Sequence, residues 1–281
     1  STALGAQAAP STRPNIVILV ADDWGLTDVG AFGGEISTPN IDQLARQGVR
    51  FSNFHVAASC APTRSMLLTG VENHRNGVGN LRETLPRAHR GQPGYQGSLT
   101  PNTVTVSSLL QDAGYRTYIT GKWNVGSEPY NLPPQRGFDR SIIQGDTGSD
   151  NWDPQQRYLP HSATVQWFEN GQPATMPASY YSSTYFVDRA IGYLKDDAKD
   201  PRPFFAYLGF QANHVPLQAP QALRALPAHA EIDGELMMQV LEEAGRFAAE
   251  LPQHARHHFG GRGDRRRSHP PWLRISQRER R

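Results

Sequence analysis

Lysine is nearly missing from this 281-residue chain: Lys122, Lys195 and Lys199 are the only three among 28 basic residues. Arginine supplies the rest, a bias that accompanies GC-rich coding and points to a bacterial source. Cysteine occurs once, at Cys60. That excludes an internal disulfide and leaves a lone thiol that is either core filler or chemistry. No run of about 18 or more apolar residues is present, so no transmembrane helix is expected. Charge is also sparse, at 19% of residues against 37% apolar. This is leaner than an average soluble domain but not a disordered composition. The net charge of +2 gives no general pull toward an acidic partner. What the chain has in quantity is glycine (26) and proline (22), so loops take a large share. Its length suits one large domain or two small ones, with a core that needs no staples.

The first residues are small and polar. Ala6-Gln7-Ala8 fits the cleavage site of a secretory signal peptide. Residues 1–12 are therefore expected to be a signal-peptide remnant or a small-residue linker, and the location periplasmic or secreted.

Asn15–Ala21 (NIVILVA) is a continuous β-branched run, as in a central parallel strand covered on both faces. Asp22 and Asp23 follow it. Thr38 and Pro39 open a helix as N-cap and first residue, Gly48 closes it, and Ile41 and Leu44 mark its inner face. Val49–Val56 alternates like a second strand. Cys60 sits in a loop before a helix over 63–69. A third helix is expected over Thr103–Asp112, then a strand over Tyr115–Thr120, with Gly121-Lys122 directly after it. Residues 124–163 are rich in Gly, Pro, Asn and Asp and are expected to be long surface loops. Ser183–Lys195 is an amphipathic helix with Phe186, Ala190, Ile191 and Leu194 on one face. Pro203–Phe210 is another buried strand, followed by His214. Alternating strands and helices predict an α/β fold with a mostly parallel sheet. In such sheets ligands bind beyond the carboxyl ends of the strands, where Asp22-Asp23, Lys122 and His214 all fall.

Adjacent carboxylates such as Asp22 and Asp23 repel each other unless a cation sits between them, and oxygen sites of this sort suit Ca²⁺ or Mg²⁺. An ordinary turn or helix cap is the plainer reading of the same pair. Cys60 precedes a helix N-terminus, whose free N–H groups favour an anion, and Arg64 lies one turn on with a fork of donors. This describes an oxyanion site beside a sulfur nucleophile, or a modified one. The plainer reading is a buried structural cysteine.

The run Cys60-Ala-Pro-Thr-Arg64, with Thr69-Gly70 after it, resembles the signature of the type I sulfatases. PNIVILVADDWG, TPNIDQLARQGVRF and GYRTYITGKW resemble sulfatase segments in the family's order, so the resemblance covers about residues 13–221. It implies an alkaline-phosphatase-like α/β sandwich with a mostly parallel central sheet flanked by helices. It also implies sulfate ester hydrolysis through a formylglycine made from Cys60 by a formylglycine-generating enzyme. The hydrated aldehyde would attack sulfur and expel the alcohol. Its second hydroxyl would then release sulfate. Asp22, Asp23 and residue 60 would bind the divalent ion, usually calcium. Arg64 would hold the diol, and Lys122 and His214 would contact the sulfate ester.

Two departures stand out. The family usually has histidine two residues after the Gly-Lys lysine, where this chain has Asn124. Asparagine can contact substrate but cannot supply a proton near neutral pH, so either that task falls to His214 alone or the chain belongs to a differing subfamily. The family also supplies a later Asp-Asn metal pair and a second lysine, and nothing after Gln221 matches them. The sulfatase part is therefore expected to be truncated. Ala225–Glu250 instead resembles the N-terminal helical segment of bacterial acyl-CoA dehydrogenases. Pro252–Arg281 is Arg/His-rich without periodicity. Residues 222–281 are expected to be an unrelated helix and a solvated, disordered tail, too poor in aromatics for specific nucleic-acid binding. The expected substrate is a small-molecule or saccharide sulfate ester. The alternatives are a phosphate or phosphonate monoester hydrolase of the same superfamily and an inactive fragment.

Overall fold

A computed structural model describes residues 13–157, 165–218 and 220. The expectations for residues 1–12 and 222–281 lie outside them. The described chain forms an α/β layer structure around one six-stranded sheet. Its strands are β1 (Ile16–Val20), β2 (Arg116–Lys122), β3 (Arg140–Gln144), β4 (Trp167–Glu169), β5 (Gln172–Pro173) and β6 (Phe204–Gly209). Their spatial order is β1-β6-β2-β3-β4-β5. The first four are mutually parallel, and β4 and β5 add an antiparallel edge. The helices are α1 (Pro39–Gln47), α2 (Cys60–Thr69), α3 (Asn73–Asn76), α4 (Val106–Asp112) and α5 (Ser182–Asp196).

Strand alternation divides the core in two. On one face Tyr118, Ile142 and Leu208 pack against Phe186, Ala190 and Leu194 of α5, the stripe its periodicity predicts. On the other, Ile119, Ile143 and Phe205 pack with Ala61 and Leu68 of α2 and with Phe138. Every residue of β2 and β6 is buried, as apolar strands between helix layers must be.

Several local expectations need correction. Among the described residues β1 is not central: it forms the edge of the sheet, and Leu19 is 37% exposed. Val49–Val56 forms no strand. Among the described residues no neighbouring strand receives it, and Val49 and Phe51 stand out in solvent. In α1, Ile41 packs beside Val29 but Leu44 is exposed. The expected loop 124–163 contains β3, whose two-isoleucine core is too short to register as a run. α2 begins at Cys60 rather than after it. α4 begins at Val106, because the Thr105 hydroxyl caps it by accepting from the Ser108 N–H.

Candidate active site

The parallel strands end on one side of the sheet, and the residues singled out above collect there. Asp22 follows β1, Lys122 closes β2, Asn124 and Thr147 follow β2 and β3, and His214 follows β6. α2 brings Cys60 and Arg64. The centre is a buried ion cluster. Lys122 Nζ donates to Asp22 Oδ2, and Arg64 Nη2 lies 3.3 Å from Asp22 Oδ1. All three side chains are essentially removed from solvent. Burial pushes the Asp22 carboxyl up, but Lys122 and then Arg64 pull it down further, and it titrates below the ordinary aspartate value. Burial likewise lowers Arg64, and Asp22 more than reverses it.

Backbone geometry makes room for this cluster. Arg64 donates through Nη1 to the Lys122 carbonyl (3.1 Å) and through Nη2 to the Phe210 carbonyl (3.3 Å). A Cβ on Gly209 would stand 2.9 Å from Arg64 Nη1, and one on Gly121 would stand 2.0 Å from the Gly209 carbonyl oxygen. The glycines let β2 and β6 meet closely and leave a slot for the guanidinium. Asp22 is held by its own backbone. Its N–H donates to the Ala212 carbonyl (3.1 Å), and its carbonyl accepts from the Asn213 N–H (2.9 Å).

Cys60 lies on the open side. Its thiol donates to Asn124 Oδ1 at 3.2 Å, and Thr147 Oγ1 is 3.9 Å away. Asn124 adopts a left-handed backbone, φ 54°, a conformation asparagine tolerates better than most residues. A cleft of about 1230 Å³ opens here, walled near Cys60 by Ala61, Asn124 and Thr147 and farther out by Tyr95, Asp146 and Phe168. His214 Nε2 lies 3.9 Å from Asp23 Oδ2. The structure thus gathers Asp22, Arg64 and Lys122 into one cluster, Cys60 with Asn124 into a second group, and His214 with Asp23 into a third.

Thr147, Asp146 and Asn213 were missed by sequence reasoning. The first two sit in Gly145-Asp146-Thr147-Gly148, a glycine-flanked polar turn whose signal depended on recognising β3. Asn213 Oδ1 is buried with no partner among the described residues.

A calcium ion takes about six to eight oxygen ligands. Both Asp22 oxygens already face cations, and the Asp23 side chain is largely exposed. Among the described residues no group of three or more His, Cys, Asp or Glu side chains could hold a metal. The donors are of the right kind, but by themselves the described residues do not fit a calcium site. An anion fits the cluster better: two buried cations face one buried carboxylate, and Arg64 Nε is a buried donor without a partner among the described residues.

Comparison with known proteins supplies relatives for the chain as a whole. The chain is 42% identical over 222 residues to an uncharacterised sulfatase of Schizosaccharomyces pombe, covering 76% of this chain and 40% of that one. It is 37% identical to an arylsulfatase of Klebsiella aerogenes, covering 77% and 46%. Rat arylsulfatase G is 33% identical, covering 85% and 49%. The chain therefore spans under half the length of these relatives. Among solved structures, Ps i-CgsB superposes with a TM-score of 0.73 at 27% identity, covering 85% of this chain and 55% of that one. A protein of the alkaline phosphatase superfamily from Vibrio parahaemolyticus shares the fold at a TM-score of 0.55 and 18% identity. The sulfatase family's sequence profile matches residues 14–235, and the chain belongs to that family.

Proposed function

We propose that this chain carries the nucleophile and sulfate-binding cluster of a sulfuric ester hydrolase, and that its substrates are sulfate esters of saccharides. The observation that carries the reading is the placement of Cys60. It is the first residue of α2, one helical turn from an Arg64 that is locked into the Asp22–Lys122 cluster, and its contacts Asn124 and Thr147 line an open cleft. The saccharide class is supported by Ps i-CgsB, which has been solved in complex with k-i-k-neocarrahexaose.

Oxidised to formylglycine and hydrated, residue 60 would supply a geminal diol as the sulfur nucleophile. The chain's own side chains do the rest. Arg64 and Lys122 carry one more positive charge than Asp22 balances, so they draw the sulfate and stabilise charge developing on its oxygens. Their burial strengthens that attraction relative to water. Asn124 orients residue 60 through its side-chain oxygen. His214 is the group that protonates the departing alcohol, the role Asn124 cannot fill.

The test is hydrolysis of 4-nitrophenyl sulfate by the chain co-produced with a formylglycine-generating enzyme in calcium buffer. Conversion is read as a loss of about 18 Da on the Cys60 peptide. Turnover that disappears in Cys60→Ala, and that exceeds turnover of 4-nitrophenyl phosphate, is expected. No turnover after confirmed conversion, or faster phosphate release, overturns the reading.

A further inference from the structure

The outer cleft carries acidic groups that the ion cluster does not use. Asp146 stands beside Thr147, the residue whose hydroxyl approaches Cys60 Sγ. Its carboxylate accepts from the Gln166 backbone N–H and borders the cleft. The same cleft is lined by Glu83, whose Oε1 is buried with no partner among the described residues. The nearby cations are committed elsewhere. Arg82 pairs with Glu128 at 2.6 Å, and Arg90 Nε donates to the Leu85 carbonyl at 3.2 Å. Among the described residues neither Asp146 nor Glu83 has a cationic partner.

The same cleft offers aromatic surface. Tyr95 is held between His74 and His89, with ring centroids 5.2 and 4.6 Å away, and Phe168 projects from β4. Carboxyl acceptors beside ring faces suit a molecule with hydroxyl donors on its edges and C–H groups on its faces. A flat aromatic ring without hydroxyls would cover the carboxyls and leave them unsatisfied, which costs binding.

We propose that Asp146 is a specificity-determining residue of this site, accepting a hydrogen bond from a hydroxyl of the saccharide that carries the sulfate, with Glu83 as its neighbour in the cleft. This rests on the sulfatase reading given above. Burial, reinforced by the Glu83 charge and opposed by the Gln166 N–H, pushes the Asp146 carboxyl up to about 6. The ionised form is the stronger acceptor, so saccharide affinity rises as pH increases through that value. Arg82, Arg90 and Glu128 are the other charged groups on the cleft wall, and His74 and His89 flank Tyr95, so the comparison with Asp146→Asn isolates the part that belongs to Asp146.

The experiment is calorimetric binding to the chain carrying Cys60→Ala, which cannot turn over, in calcium buffer at about pH 5 and about pH 7.5. The probes are glucose 6-sulfate, phenyl sulfate and inorganic sulfate. Glucose 6-sulfate is expected to bind roughly tenfold more tightly at the higher pH. Asp146→Asn is expected to abolish that gain, Asp146→Glu to retain most of it, and phenyl sulfate to respond less than about twofold to either. Unchanged melting of the variants establishes that they fold. If the two esters respond alike to pH and to Asp146→Asn while inorganic sulfate still binds, Asp146 has no such role and the sulfatase reading stands. If no probe binds, both readings fall.

Discussion

The Asp22–Lys122–Arg64 cluster makes a quantitative prediction. Asp22→Asn keeps the shape of the side chain but leaves Lys122 and Arg64 buried against each other without a counter-charge. Breaking a buried pair in this way costs about 3–5 kcal/mol, because the surviving ion keeps its desolvation penalty. Lys122→Met is milder. Asp22 retains Arg64 at 3.3 Å, and a thioether fills the stem's volume, so the expected loss is about 1–2 kcal/mol. In the double variant Arg64 is the one charge left of the three in this cluster. Its Nη groups still reach the Lys122 and Phe210 carbonyls, so the loss should fall short of the sum by about 1.5–3 kcal/mol. Urea unfolding of the four proteins at neutral pH, with m-values compared, measures this coupling. Additivity within about 0.5 kcal/mol would refute the claim that these side chains share one buried electrostatic site. The acid limb gives a check on sign. Asp22 titrates lower in the folded protein than its ordinary 3.8. Its contribution is therefore present above about pH 4 and disappears as pH falls through the depressed value. Asp22→Asn should flatten that part of the acid unfolding curve.

Asp146 has the opposite sign. Its folded value of about 6 exceeds the ordinary 3.8, so wild-type stability declines between about pH 4 and pH 6. Asp146→Asn removes that decline and gains up to about 3 kcal/mol on wild type by pH 7.5, read as a crossing of the two stability–pH curves. Gly121→Ala places a Cβ 2.0 Å from the Gly209 carbonyl at φ 95°, and should lower stability by at least about 3 kcal/mol or prevent soluble expression. Unchanged melting would mean the two strands are not so closely joined. Leu19→Lys on the exposed edge strand should reduce heat-induced light scattering while changing stability by less than about 1 kcal/mol. Increased scattering would show that this edge is not the contact through which chains associate.

The parts legible in the sequence were those where local pattern and tertiary role coincide. NIVILVA, the α5 stripe and PFFAYLGF announce themselves because burial demands their composition. Asp22, Lys122 and His214 could be placed because each follows such a run. Position in the sheet could not be read from the same signal. β1 and β6 are equally apolar, yet one is an edge strand and the other lies at the centre. Val49–Val56 has a strand's alternation without a neighbour to pair with. β3 escaped notice because only Ile142 and Ile143 show through its polar flanks, and with it went Asp146 and Thr147. The pairing of Lys122 with Asp22 was also out of reach, since it depends on two glycines in different strands allowing a close backbone approach.

The placement of β6 has a consequence for the order of assembly. It lies between β1 and β2, and Ile16 pairs with Phe205 across most of the described chain. Such pairings have high sequence separation and form late, after the chain between them has folded or been synthesised. Arg64 and Lys122 belong to α2 and β2, whereas Asp22 reaches them only through β6. Until that strand inserts, the nascent centre holds two cations with no carboxylate between them. Insertion of one strand therefore does two things at once: it closes the hydrogen-bond ladder and delivers the counter-charge, so the binding centre matures as β6 falls into register.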